Sequence, residues 1–141
     1  MLTIKIFTAF IFAIFISNGL SMDYDSLNYA QIVQDCETEQ PLSQEETLSL
    51  AAVYEDEVSD NVKCFSYCLL KRTFMMYENG SINIDGCISV AKNYFNQDEY
   101  ITGISIKIFK NCADGLTRND MCARAAEFVA CFQNGFREQE L

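Results

Sequence analysis

Seven cysteines and the absence of histidine constrain this chain more than any other feature of its sequence. Cys64 and Cys68 are four residues apart, so they fall on adjacent turns if that stretch is helical. Clustered cysteines are typical of metal sites or of disulfide frameworks. Structural zinc sites usually combine two close cysteine pairs or add histidines, whereas this chain has one such pair and no histidine. We therefore predict disulfides, with no metal ion and no cofactor.

The first residues predict an oxidising compartment, in which disulfides persist. Residues 1–21 contain one charged residue, Lys5, followed by an apolar run and by the small residues Gly19 and Ser21 at suitable cleavage positions. The apolar run is well short of the roughly 20 residues that a membrane-spanning helix needs. We interpret residues 1–21 as a secretory signal peptide. Residues 22–141 are then a secreted, extracellular domain without a membrane anchor.

The charge of the mature chain excludes two classes of partner. Only Lys5 among the charged residues lies in the signal peptide, which leaves nine basic and twenty acidic side chains. An acidic surface repels phosphate backbones and anionic lipids, so we expect neither nucleic acid nor membrane binding. The length of residues 22–141 suits one compact domain.

Apolar residues recur at helical spacing along the mature chain. Tyr29, Ile32, Val33 and Cys36 form the first such stripe, and Ser43 with Glu46 forms a capping box before the next. The same patterns predict further helices at 48–52, from Ser59 or Asp60 to 78–80, from Ile84 to Phe95, over 101–112, and from Thr117 or Asn119 onward. The sequence therefore predicts an all-α domain of about six helices.

The segment 101–112 is ambiguous by periodicity alone. Residues 104–108 alternate between apolar and polar side chains as in a strand, yet Ile101, Ile104, Ile108 and Cys112 also fit one face of a helix. A lone strand would have no partner elsewhere in the chain, so we predict a helix.

The spacing of the cysteines resembles that of a known family. With Cys87 set aside, the other six are separated by 27, 3, 43, 9 and 8 residues. Together with the signal peptide, the acidic charge, the helical pattern and the stretch DMCARAAEFVAC at 120–131, this spacing resembles the insect odorant-binding proteins, the pheromone and general odorant-binding family. The resemblance covers the whole mature chain. It implies a compact six-helix, disulfide-stapled domain that encloses an apolar cavity for a small hydrophobic molecule.

Six cysteines allow 15 pairings, and spacing alone does not choose among them. The resemblance implies one set: Cys36 with Cys68, Cys64 with Cys122, and Cys112 with Cys131. Cys87 departs from the family pattern. It is either a buried free thiol or the site of an intermolecular bridge, so a monomer and a homodimer both stay open.

Seven apolar side chains are our candidates for the cavity lining, because their helical phase places them inward on elements that the family uses. Packing in an ordinary core is the alternative for each of them. Ser66 is the candidate polar contact for a ligand, and Lys71 or Arg72, if turned inward, would favour an anion such as a fatty acid. The lining candidates are Phe74, Met75, Ile88, Ile104, Ile108, Phe128 and Phe132.

We predict a secreted carrier of small hydrophobic molecules such as odorants, pheromones or lipid-like compounds. The alternative is a scavenger or signalling protein of saliva, haemolymph or reproductive fluid built on the same scaffold. The resemblance also allows a chemosensory receptor as a partner. An enzyme is not expected, because the chain lacks histidine, the usual base for serine or cysteine nucleophiles, and has no G-x-S-x-G motif.

Three further features give expectations of their own. Histidine is the side chain that titrates under mild acidity, so without it we expect ligand affinity to change little between about pH 7 and 5.5.

Asn79-Gly80-Ser81 is a candidate N-glycosylation site. Residues 134–141 either close the cavity, with Phe136 and Leu141 as plugs, or fray.

Overall fold

The computed structural model describes residues 28–49, 58–95 and 97–139. Over these ranges the chain forms six α-helices and no β-strand, which confirms the predicted all-α fold. The helices are α1 (Tyr29–Glu39), α2 (Gln44–Ser49), α3 (Asp60–Arg72), α4 (Ile84–Tyr94), α5 (Glu99–Asp114) and α6 (Met121–Glu138). The proposed signal peptide, the predicted helical residues 50–52 and Leu141 lie outside the described residues.

Short polar side chains begin the helices. In five of them, the side chain before the first turn accepts a hydrogen bond from the backbone N–H three residues later, which satisfies an amide that has no partner inside the helix. Helix α2 opens with the predicted capping box: Ser43 and Glu46 each donate a backbone N–H to the other's side chain at 3.0 Å. The five N-caps are Asn28, Ser59, Asn83, Asp98 and Asp120.

Helix α6 begins later than the sequence predicted. Thr117 does not cap it, because its hydroxyl donates to Oε2 of Glu127 at 2.7 Å and its N–H donates to Oε1 at 2.9 Å. The cap is Asp120, whose carboxylate accepts from the N–H of Ala123 at 2.9 Å. The prediction of Thr117 or Asn119 as the first helical cap is therefore wrong by one to three positions.

Helix α3 ends earlier than predicted. It ends at Arg72, whereas the apolar spacing suggested that it continued to residues 78–80. Phe74 has a φ of 62°, a left-handed conformation that a continuing helix cannot contain. The chain then turns back, and Met76 forms an isolated antiparallel bridge with Ile82. Met75 and Met76 continue the apolar pattern beyond Arg72 because they are buried in a turn, and not because the helix continues.

The ambiguous segment is helical. It lies within α5, which Asp98 caps at the start and Gly115 ends with backbone N–H bonds to Asn111 and Cys112. Ile108, Phe109 and Cys112 are buried along its inner face. The helical prediction for this segment is confirmed.

Three disulfides join the helices. Cys36–Cys68 links α1 to α3, Cys64–Cys122 links α3 to α6, and Cys112–Cys131 links α5 to α6. These are the pairs that the family resemblance implies. The two cysteines on adjacent turns of α3 therefore bond to different helices.

The core draws buried residues from α1, α3, α4, α5 and α6. Helix α3 packs most extensively against α6, while α4 packs on α5, α5 on α6, and α1 and α2 on α3. The largest fully buried side chains include four phenylalanines, one on α5 and three on α6. The bulky rings of the two longest helices are therefore buried together, between α5 and α6.

Candidate ligand-binding site

Most of the predicted lining residues are buried, on α5, on α6 and in the turn after α3. Met75, Ile108, Phe128, Phe132 and the polar candidate Ser66 are each at most 9% exposed. Ile88 on α4 and Ile104 on α5 are half-buried, and Ile104 packs against the core.

Phe74 does not belong to this set. Its side chain is 62% exposed, on the outside of the turn that follows α3. Helical phase carried over from α3 placed it inward, but the left-handed backbone at Phe74 ends that phase. We therefore remove Phe74 from the proposed lining.

Four phenylalanine rings form a continuous cluster between α5 and α6. The Phe109 ring centroid lies 6.1 Å from that of Phe128, 5.6 Å from that of Phe132 and 5.8 Å from that of Phe136. Phe128 and Phe132 are 5.3 Å apart in an edge-to-face arrangement. Ring pairs at such distances attract through their quadrupoles in addition to burying area. The four rings thus form one continuous apolar cluster of polarisable aromatic faces.

Two members of this cluster were not among the preferred candidates. The sequence allows Phe136 either to close the cavity or to lie in a frayed tail; in the structure α6 continues to Glu138 and holds Phe136 at 1% exposure, so Phe136 is not in a frayed tail. Its spacing of four from Phe132 and eight from Phe128 was the available signal. Phe109 adjoins Ile108 and is completely buried.

Helices α5 and α6 approach closely at one glycine. A Cβ at Gly135 would lie 2.7 Å from Cγ2 of Ile108. The missing side chain lets Ile108 sit against the backbone of α6, one residue before Phe136.

Five polar side chains are buried in the described ranges, and none of them is ionisable. They are Ser66, Thr73, Thr102, Ser105 and Gln133. The Thr73 hydroxyl donates to the carbonyl of Leu69 at 2.8 Å, and Ser105 donates to the carbonyl of Ile101 at 2.8 Å. Both hydroxyls are thus used within their own helical turns.

Gln133 on α6 differs from these residues and was not singled out from the sequence. It is completely buried, and neither its Oε1 nor its Nε2 has a hydrogen-bond partner among the described residues. The available signal was its spacing of four from Val129 and seven from Ala126, which places an amide on the apolar face.

The cationic candidates of α3 are used elsewhere. Arg72 forms ion pairs with Glu39 and, at 3.7 Å, with Asp35. The Lys71 ammonium lies 5.1 Å from the centre of the Tyr67 ring. Both side chains are half-exposed, so neither supplies the inward cation that a fatty-acid ligand would favour.

Cys87 is a free thiol on α4 and is completely buried. Burial raises the pKa of its thiol well above the ordinary value. Its Sγ lies 3.7 Å from the carbonyl oxygen of Met75. A thiol in this position packs as a small apolar side chain.

Asn79 lies exposed in the turn between α3 and α4. Its Oδ1 accepts hydrogen bonds from the backbone N–H of Ser81 at 3.0 Å and from the Ser81 hydroxyl at 2.7 Å. Its glycosylation stays a prediction.

A separate cleft lies on the surface where α4 meets α5. Its volume is about 330 Å³, and it contains none of the predicted lining residues. Its walls are Lys92, Gln97, Glu99, Thr102, Gly103 and Ile106. This mixed charged and polar lining differs from that of the phenylalanine cluster.

Two kinds of site are not found in the part of the chain that the structure describes. No three Cys, Asp or Glu side chains there come together as a possible metal site. None of the described helices has the length and apolar character needed to cross a bilayer.

Comparison with known proteins identifies the family. The model of the PBP/GOBP family matches residues 21–135. Among solved structures, the chain is similar to the odorant-binding protein OBP28a of Drosophila melanogaster, with a TM-score of 0.65 and 19% sequence identity over 77% of this chain and 89% of that one. At this identity the likeness concerns the fold alone. No curated protein sequence matches the chain.

Proposed function

The chain belongs to the PBP/GOBP family, and from this premise we propose that it is a secreted carrier which holds a small hydrophobic molecule against the phenylalanine cluster of α5 and α6. Members of the family are binding proteins, and the chain is not an enzyme. Its ligand, its binding surface and its secretion are the proposed parts.

The observation that supports this binding surface is the composition of the cluster. Phe109, Phe128, Phe132 and Phe136 contact one another, and Met75 joins the same buried core. Aromatic faces and a flexible thioether accept ligands of different shapes with little directional demand. Of the remaining proposed lining residues, Ile108 belongs to this core and Ile104 packs against it, and Ile88 is half-buried on α4.

The disulfide framework supports the proposal in a second way. A bound ligand needs space that side chains would otherwise fill, and unfilled space in a core is destabilising. Each disulfide stabilises a small domain by typically 2–4 kcal/mol, so three of them offset a substantial loss of packing.

The test uses tryptophan as a reporter, since the chain has none of its own. We expect Phe128→Trp and Phe132→Trp variants to change their emission on addition of decanol or of an apolar fluorescent probe. Tyr100→Trp is the matched control, because Tyr100 is 77% exposed on α5. Emission that changes in neither core variant, or equally in the control, would contradict the proposed surface.

A second measurement addresses secretion and ligand identity. We expect protein purified from its own tissue to begin at residue 22 and, in native mass spectrometry, to retain a small hydrophobic molecule. An intact residue 1 would contradict the signal peptide. A retained amine or peptide would favour the scavenger or signalling alternative over the carrier. The receptor partner and the oligomeric state stay predictions.

A further inference from the structure

Gln133 is a buried amide that the fold leaves unused. Its side chain is completely buried, and its oxygen and nitrogen both lack partners within the described ranges. Buried polar side chains in folded proteins are paired in the large majority of cases, because an unpaired one forfeits its hydrogen bonds to water. An exception with both atoms free therefore needs an explanation.

The other unpaired buried polar atoms belong to side chains that lie nearer to the surface. Thr102 lines the surface cleft, Asn93 is half-buried, and Arg72 is half-exposed beside its two carboxylates. Gln133 differs in that its whole side chain is buried and both of its polar atoms are unpaired.

The surroundings of Gln133 are those of the proposed ligand surface. Along α6, the residues one turn away on its side are Val129 and Phe136, and Phe132 precedes it. All three are at most 5% exposed. The amide is thus a polar group at the edge of an apolar, aromatic surface.

We infer that the Gln133 amide is the hydrogen-bonding anchor for the polar end of the ligand, and that the ligand is a neutral molecule with a hydroxyl group on an apolar body. This inference rests on the proposed carrier function. An amide can donate through Nε2 and accept through Oε1, and a hydroxyl can do the same in return.

The charges near Gln133 favour a neutral ligand over an anionic one. None of the buried polar side chains in the described ranges is ionisable, and the cations of α3 are bound elsewhere. Arg137, one turn away on α6, is half-buried and donates to Oδ1 of Asn134 at 2.7 Å, so a carboxylate brought to Gln133 would be a buried charge whose nearest cation along α6 already has a partner. Burying such a charge is far costlier than burying a hydroxyl. We therefore expect the protein to bind an alcohol more tightly than the carboxylic acid of the same chain length.

The test compares decanol with undecane, which has the same number of heavy atoms and no hydroxyl. The Gln133→Leu variant should bind decanol about tenfold more weakly than the wild type and bind undecane equally well or better. Gln139→Leu, at the exposed position that follows the same helix, is the matched control and should change neither affinity. An equal loss for both compounds would mean that Gln133 only packs, and would overturn the inference.

Two further measurements distinguish a ligand-binding role of Gln133 from a purely structural one. Without ligand, Gln133→Leu should melt at the same or a higher temperature than the wild type, because it removes an unpaired buried amide. Lower stability in both this variant and Gln133→Met would show that the amide already has a partner, such as bound water, and would overturn the inference. Decanoate that binds the wild type as tightly as decanol at about pH 7 would overturn the neutral ligand class.

Failure of the proposed function gives a different result. A wild-type protein that binds neither decanol nor undecane would overturn the carrier and the anchor together. A wild type that binds both, with a decanol affinity unaffected by Gln133→Leu, would overturn the anchor alone.

Discussion

The carbonyl oxygen of Phe74 occupies the space in which a side chain at Gly86 would begin. A Cβ built on Gly86 would lie 1.9 Å from that oxygen and 2.8 Å from the carbonyl carbon. The amide of Asn83 donates to the same carbonyl at 2.8 Å. The left-handed turn after α3 is thus held against the first turn of α4, through a glycine that lets the two backbones touch.

We expect Gly86→Ala to destabilise the protein by about 3 kcal/mol, because the clash is with backbone atoms that cannot rotate away. Gly103→Ala is the matched control, since Gly103 is also helical and a Cβ there meets no atom within 4 Å. The control should gain about 0.5–1 kcal/mol from its better helix propensity. Urea unfolding measures both changes, and equal stabilities of the two variants would contradict this packing.

The contact between Gly135 and Ile108 gives a second stability prediction. Gly135→Ala should cost about 1 kcal/mol, since the overlap with the β-branched Ile108 exceeds the gain in helix propensity. In an Ile108→Ala background the same change should be neutral or stabilising, because the overlapping methyl group is gone. A double-mutant cycle by thermal unfolding measures this coupling. Additive changes would show that the two helices do not meet at these residues.

The state of Cys87 predicts a labelling pattern. Because the thiol is completely buried, native protein should incorporate almost no iodoacetamide under mildly alkaline conditions. Denatured, unreduced protein should incorporate one label per chain, at Cys87. Non-reducing electrophoresis should show a monomer, and a band at twice the mass that Cys87→Ala removes would instead support an intermolecular bridge.

Glu127 predicts how stability depends on acid. Burial alone would raise the pKa of this carboxyl, but the N–H groups of Arg118 and Thr117, the Thr117 hydroxyl and the Arg118 charge together lower it. A pKa that is lower in the folded state gives stability that is present above the unfolded pKa and is lost as the pH falls through the folded one. Stability and ligand affinity should therefore change little between about pH 7 and 5.5, and stability should fall below about pH 4.5.

The variant Glu127→Gln separates this contribution from the rest. It should be less stable than the wild type near neutral pH and should lose less stability on acidification. Glu37→Gln on α1, where the side chain is exposed, is the control and should follow the wild-type curve. A wild-type protein that loses stability or ligand affinity steeply between about pH 7 and 5.5 would contradict the prediction, since no histidine is present to titrate there.

Periodicity predicted the existence of the helices well, and their ends less well. The segment 101–112 is helical as predicted, and Asp98 and Gly115 cap its two ends in the structure. The end of α3 was missed because Met75 and Met76 continue the apolar pattern, although the backbone has already turned at Phe74. Apolar periodicity indicates which side chains are buried, and the buried side chains of a turn can continue the spacing of a helical face.

The candidate site was predictable where burial follows helical phase. Phe128, Phe132 and Ile108 are buried as expected, whereas the burial of Phe136 stayed open between a plug and a frayed tail because the sequence does not show where α6 ends. Gln133 was overlooked since glutamine is usually a surface residue. Whether its amide finds a partner depends on contacts across the fold, which no local pattern encodes.

The order in which the disulfides overlap along the chain has a consequence for exposure to proteases. Cys64–Cys122 spans the interval between the other two bonds and overlaps each of them. Any single peptide bond cut between Cys36 and Cys131 therefore leaves two fragments that are still covalently joined. A nicked molecule would keep both fragments covalently joined, so a single cleavage would not by itself separate the helices that carry the phenylalanine cluster.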